Sequence, residues 1–142
     1  MSKIAVVYWS GTGNTQAMAQ AVAQGAEQAG AQVSLLTPDQ FPPEQMDNFD
    51  AVAFGCPSMG VEELEDAEFE PMFSALTEKL PGKKIGLFGS YGWGDGEWMR
   101  TWENSCREQG AVLADEGVIA QDAPDDEALA RCAALGAALA HS

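Results

Sequence analysis

Three short stretches carry side chains whose types and spacing suit the binding of one extended, partly anionic ligand. The first is Ser10-Gly11-Thr12-Gly13-Asn14-Thr15. It follows an apolar run, Ile4 to Trp9, and opens a long helical pattern, so its backbone N–H groups and the positive end of a helix dipole converge on one point. Gly11 and Gly13 permit positive φ and close approach, while Ser10, Thr12, Asn14 and Thr15 add neutral donors. No Lys or Arg lies in the loop, and no Gly-Lys-Ser/Thr ending follows, which excludes a triphosphate P-loop. The dinucleotide fingerprint fails too, because its third glycine falls on Gln16. A single monophosphate is the guest this loop fits.

The second stretch is Cys56-Pro57-Ser58-Met59-Gly60-Val61-Glu62. Met59 ahead of a glycine offers a polarizable side chain beside a turn, suited to covering one face of a planar ligand. Glu62 can accept from an imide-type N–H. Taken singly, Met59 also reads as a gap-filler and Glu62 as a solvated carboxylate. The third stretch is Ser90-Tyr91-Gly92-Trp93-Gly94-Asp95-Gly96. Trp93 between two glycines has no flanking side chains to hold it in a core, so stacking on a ring is the favoured reading. Ser90 is placed to reach the phosphate from the opposite side. A phosphate in one loop and a planar ring with an imide edge between the other two describe flavin mononucleotide, FMN.

These loops need a scaffold that brings them to one edge. Lys3 to Trp9 reads as a parallel strand buried on both faces, since its apolar residues run continuously instead of alternating. Helix one follows, with Met18, Ala21, Val22, Ala26 and Ala29 at helical spacing and Gly30 as its stop. Further strands are predicted at Gln32 to Leu36, Asp50 to Gly55 and Lys84 to Ser90, and an interrupted fifth at Ala111 to Leu113 and Val118 to Ala120. Helices are predicted from Phe69 to Leu80, from Trp98 to about Gln109, and after Pro124. Strand and helix alternate five times. The expected fold is α/β, a three-layer, doubly wound, five-stranded parallel sheet over residues 1–142. Ligands in such sheets bind at the carboxyl ends of the strands, where the three loops fall.

The motifs resemble those of the flavodoxin family, specifically its short-chain branch. The resemblance covers essentially the whole chain and rests on Ser10 to Thr15, Gly55-Cys-Pro-Ser-Met-Gly60, Gly86-Leu-Phe-Gly-Ser-Tyr-Gly-Trp-Gly94, and a C-terminal Pro-Asp helix. It implies strand order 2-1-3-4-5 with FMN at the switch point, the arrangement for which flavodoxin is a standard illustration. By resemblance, Ser10, Thr12, Asn14, Thr15 and Ser90 hold the phosphate, Pro57 and Ser58 lie along the ribityl chain, Met59 and Trp93 flank the ring, and Glu62 binds its N3–H. The remaining residues of the three loops, Gly11, Gly13, Gly60, Val61, Tyr91, Gly92 and Gly94, complete the cofactor site. The family's redox-linked peptide flip, which stabilises the neutral semiquinone, falls on Gly60 to Val61. Val61 replaces the small or polar residue associated with that position, and a β-branched residue stiffens the backbone there.

The implied function is low-potential, one-electron transfer between redox proteins, with the flavin shuttling between semiquinone and hydroquinone and no substrate turnover. Composition agrees with it. Seven Lys and Arg against 22 Asp and Glu give a net charge of −15, which disfavours nucleic acid and anionic membranes and favours basic protein partners such as flavodoxin or ferredoxin reductases and oxidoreductases. Glu62, Glu63, Glu65, Asp66, Glu68 and Glu70 crowd the second loop and its sequel, so a second electron on the ring meets a negative field; solubility alone is the plainer reading of the same acids. Three unpaired cysteines and a single histidine, His141, provide neither a disulfide framework nor a zinc site. With no targeting signal or apolar span in view, a cytoplasmic monomer is expected. Two rivals share the topology. A flavin-dependent quinone or nitro reductase needs room over the ring for a nicotinamide, and a receiver domain needs acids where Trp9, Ser10 and Cys56 stand. A general carrier and an accessory flavoprotein dedicated to one metalloenzyme share all these features.

Overall fold

The computed structural model describes residues 2–11, 13–59, 64–92 and 96–141. In chain order the elements are β1 Lys3–Tyr8, α1 Asn14–Gln28, β2 Gln32–Leu36, β3 Ala51–Gly55, α2 Phe69–Ala75, β4 Lys84–Tyr91, α3 Glu97–Glu108, β5 Val112–Leu113, β6 Val118–Gln121 and α4 Asp126–Ala140. Among the described residues the strands β1 to β6 pair in parallel. The sheet runs β2-β1-β3-β4, and β5 and β6 both pair with β4: Val112 lies opposite Lys84, and Val118 opposite Phe88. Together they make the interrupted fifth strand, so the expected order 2-1-3-4-5 holds.

The continuous apolar strands reflect burial on both faces. In β1, Ile4 and Val6 join Met18, Val22, Leu135 and Leu139 under α1 and α4, while Ala5 and Val7 join Phe69, Trp98 and Trp102 under α2 and α3. β3 divides in the same way, Ala51 and Ala53 against Val52 and Phe54. Helices α1 and α4 pack at backbone contact: a Cβ on Gly25 would lie 2.0 Å from the Ala133 carbonyl oxygen, and one on Gly136 would lie 2.0 Å from that of Val22. The first helix terminates at Gly30, whose φ is +98°, and Asp125 caps α4 by accepting from Ala128 N–H at 2.8 Å.

One predicted helix is shorter than expected. The pattern from Phe69 to Leu80 breaks after Ala75 and continues as a 3₁₀ turn, Thr77–Lys79. Thr77 Oγ1 donates to Ser74 O at 2.8 Å, taking up a carbonyl that the next α-helical turn would need, and Leu76 N–H already bonds Phe73 O at 3.0 Å. The tighter turn still buries both Leu76 and Leu80. β1 ends one residue early, at Tyr8, which leaves Trp9 to begin the loop, and β4 runs one residue on to Tyr91.

Candidate functional site

The first loop is built around the start of α1. Gly13 is the N-cap, at φ +94°, a conformation that only glycine adopts without strain. Ser10 Oγ accepts from Gly13 N–H at 3.1 Å and from Gln16 N–H at 3.2 Å. Both hydroxyl acceptor sites are thus used to close the loop, and the O–H remains as a donor. The N-cap gives no side-chain cap, and no acidic residue occupies the first turn of α1, so the positive end of this helix is not neutralised from within. Thr15 is buried, its Oγ1 lying 3.3 Å from Ser90 Oγ and accepting from Ser90 N–H at 3.4 Å. Loops one and three are thereby tied together.

Loop two runs on beside β4. Cys56 N–H donates to Phe88 O at 3.1 Å, and Ser58 N–H donates to Ser90 O at 2.9 Å. A cavity of about 230 Å³ results, with Gly11 and Asn14 from the first loop, Pro57, Ser58 and Met59 from the second, and Ser90, Tyr91 and Gly92 from the third. Trp9 and Asp122 complete its wall. A larger cavity, about 610 Å³, opens between α2 and α3, but it shares no lining residue with this one and lies off the strand edge on which the loops converge.

With the sheet order and the cavity established, comparison with known proteins is decisive. The model of the Flavodoxin family matches residues 6–136. The chain belongs to the flavodoxin family. A flavodoxin of Megasphaera elsdenii is 43% identical over 137 residues, covering 96% of this chain and 98% of that one. A second, of Clostridium beijerinckii, is 42% identical over 136 residues with the same coverage. The solution structure of two-electron reduced Megasphaera elsdenii flavodoxin superposes with a TM-score of 0.87 over 98% of this chain and 99% of that one. Membership makes this an electron-transfer flavoprotein family member with FMN as its cofactor.

The residues present fit that group. An N-terminus of α1 left without an acidic side chain and a wall of neutral Asn14, Ser58 and Ser90 side chains suit a phosphate. Trp9, Met59 and Tyr91 supply apolar surface for a ring, Met59 being 37% exposed. Gly11 is exposed but lies against the Trp9 indole, since a Cβ there would stand 3.0 Å from the ring. Of the predicted site residues, Gly11, Asn14, Pro57, Ser58, Met59, Ser90, Tyr91 and Gly92 line the cavity; Ser10 and Gly13 do not, but close the first loop, and Thr15 holds Ser90. Thr12, Gly60, Val61, Glu62, Trp93 and Gly94 lie outside the described residues.

Sequence reasoning missed Trp9 and Asp122. Trp9 was absorbed into the first strand, although one residue of fraying puts it in the loop, where its Nε1–H donates to Glu68 Oε2 at 2.7 Å. Asp122 follows β6 at the same carboxyl edge, so the rule that selected three loops also selects this fourth one. Its φ of +57° makes it the one non-glycine residue with positive φ among those described, and its N–H donates to Tyr91 O at 2.8 Å.

The acids near loop two are not uniformly solvated, as their crowding in the sequence suggests. Glu65 is 5% exposed, and its carboxylate accepts from Ala67, Glu68 and Phe69 N–H at 2.9, 2.8 and 2.8 Å. Burial pushes that carboxyl up, but the three N–H groups together outweigh it and hold it below its ordinary value. Cys56, wholly buried, receives Glu65 N–H on Sγ at 3.3 Å, and desolvation pushes its thiol up to about 12. Cys56 is therefore a neutral structural thiol beside the site. Among the described residues no cluster of His, Cys, Asp or Glu could hold a metal ion, and no helix is long and apolar enough to cross a membrane.

Proposed function

We propose that the chain is a low-potential, one-electron carrier that binds FMN non-covalently and shuttles it between semiquinone and hydroquinone, passing electrons between redox proteins. The observation that supports this most directly is the mutual tying of three loops around one cavity at the carboxyl edge, with a wall of neutral and aromatic groups and one carboxylate, Asp122. FMN supplies one-electron redox chemistry when bound; the protein's part is to hold it and set its electrostatic surroundings.

In this reading the α1 N-terminus, the Ser10 O–H, and the Asn14, Ser58 and Ser90 side chains bind the phosphate without a formal positive charge. Thr15 positions Ser90. Thr12, Gly60, Val61, Glu62, Trp93 and Gly94 are assigned to the same site on sequence grounds alone. Because no Lys or Arg lines the cavity among the described residues, added negative charge on the ring is opposed by the field of Asp122 and the acids before α2, which lowers the second potential. The net charge of −15 attracts basic reductases and oxidoreductases to the exposed edge. Three free cysteines suit a reducing, cytoplasmic compartment. Action as a monomer completes the proposal.

Stepwise anaerobic reduction tests it. A yellow protein should pass through a blue intermediate before bleaching; a colourless protein that fails to take up added FMN refutes the reading. Rapid NADPH oxidation by the purified protein alone would instead establish a reductase.

A further inference from the structure

The segment between β3 and α2 is tied at both ends by groups that do not line the cofactor cavity. At its start, Cys56 is pinned to β4 through its N–H and to α3 through its carbonyl, which accepts from Trp98 Nε1–H at 3.3 Å. At its end, Glu65 returns its own N–H to Cys56 Sγ, so the two ends of the excursion meet. The Glu65 carboxylate gathers three successive backbone N–H groups, among them that of Glu68. Glu68 in turn accepts the indole N–H of Trp9 at the head of the phosphate loop. A line of hydrogen bonds therefore runs from Cys56 through Glu65 and Glu68 to Trp9, joining loop two to loop one around the outside of the cavity.

We propose that Glu65 and Glu68 are positioning residues that clasp the second cofactor loop against the first, and so fix the width of the cavity that receives FMN. The inference rests on the FMN reading above. Its physical content is a sign. Removing a carboxylate near an anionic ligand should, through charge alone, leave binding unchanged or tighten it. Removing a clasp should weaken binding, because a loop free to adopt other arrangements is competent to bind for a smaller fraction of the time. Geometry and charge thus predict opposite outcomes for the same substitution. Salt separates them further, since a charge effect is screened and a geometric one is not.

The test titrates apoprotein with FMN, following loss of flavin fluorescence, at low and high salt. Glu65→Gln keeps one acceptor oxygen but sets an amide against backbone N–H groups; its Kd should rise about tenfold, equivalent to about 1.4 kcal/mol, at both salt concentrations. Asp66→Asn removes a neighbouring charge from an exposed residue and should leave Kd within about twofold or lower it. A Glu65→Gln protein that binds FMN as tightly as wild type, with only its melting temperature reduced, overturns the proposal and leaves Glu65 as a helix cap. Should Glu65→Gln fail to fold, the exposed Glu68 decides. Glu68→Ala should weaken binding several-fold, whereas Glu68→Gln, which retains an acceptor for the Trp9 indole, should not; equal affinities for the two refute the clasp. Wild-type protein that binds no FMN defeats the cofactor reading itself, an outcome distinct from all of these.

Discussion

Asp122 gives the sharpest handle on how the protein sets the behaviour of its cofactor. Its residue lines the cavity, and a Cβ built on Gly92 would stand 3.8 Å from its Oδ1, so the carboxylate borders the space between the third and fourth loops. Asp122→Asn removes that charge while keeping the side-chain shape, and Asn tolerates the local φ of +57° as well as Asp does. A cavity of about 230 Å³ is roughly 8 Å across, and two unit charges at about that separation interact by ~0.5 kcal/mol in water and by ~2 kcal/mol at an effective dielectric of about 20. Asp122 is exposed, so the lower half of this range applies, ~0.5 to 1 kcal/mol. For a one-electron step that corresponds to about 20 to 45 mV. The substitution should raise the second midpoint potential by this amount and leave the first almost unchanged, since only the second step adds net charge to the ring. Spectroelectrochemical titration measures both. The Debye length falls from about 8 Å at physiological salt to about 3 Å at 1 M, so the shift should shrink by more than half in 1 M salt. A shift below about 10 mV at low salt, equal shifts in both steps, or a shift indifferent to salt would refute the electrostatic argument.

Other consequences follow from the packing. Cys56, Cys106 and Cys132 are buried with thiols pushed up to about 12, chiefly by desolvation; at about pH 8 the native protein should resist a thiol reagent and release three reactive thiols once unfolded. Gly136→Ala drives a methyl to 2.0 Å from Val22 O and 2.8 Å from Ala26 N. Because the obstruction is backbone, it should cost about 3 kcal/mol or more and lower Tm by about 10 °C, as read by calorimetry. The Glu65 carboxyl is held below its ordinary value in the folded protein, so its contribution to stability is complete above the unfolded value near 4.5 and is lost as pH falls through the lower folded value. Urea unfolding between about pH 7 and about pH 3 should show a shallower acid decline for Glu65→Gln than for wild type.

What the sequence determined by itself was whatever local chemistry and period could encode. Continuous apolar strands flanked by helical patterns leave little but a parallel sheet with helices on both faces, and glycine-framed loops at the strand ends mark one edge. The interrupted fifth strand was legible because Ala111 to Leu113 and Val118 to Ala120 are separate apolar runs. The side-chain types of the three loops then pointed to FMN, and the resemblance to the family that carries it, which no periodicity could. Tertiary structure decided the features that depend on distant partners. Glu65 reads as one more surface acid; the N–H groups its carboxylate accepts come from Ala67, Glu68 and Phe69 close by in sequence, but only the fold buries it and sets Cys56 Sγ against its own N–H. Trp9 is indistinguishable from a strand residue until Glu68, 59 positions away, accepts a hydrogen bond from its indole N–H. Asp122 becomes part of the cavity only because β6 pairs with β4 and ends beside Tyr91. A carboxylate's role is set by what surrounds it in space, and for Glu68 and Asp122 that environment is assembled from residues the chain holds far apart.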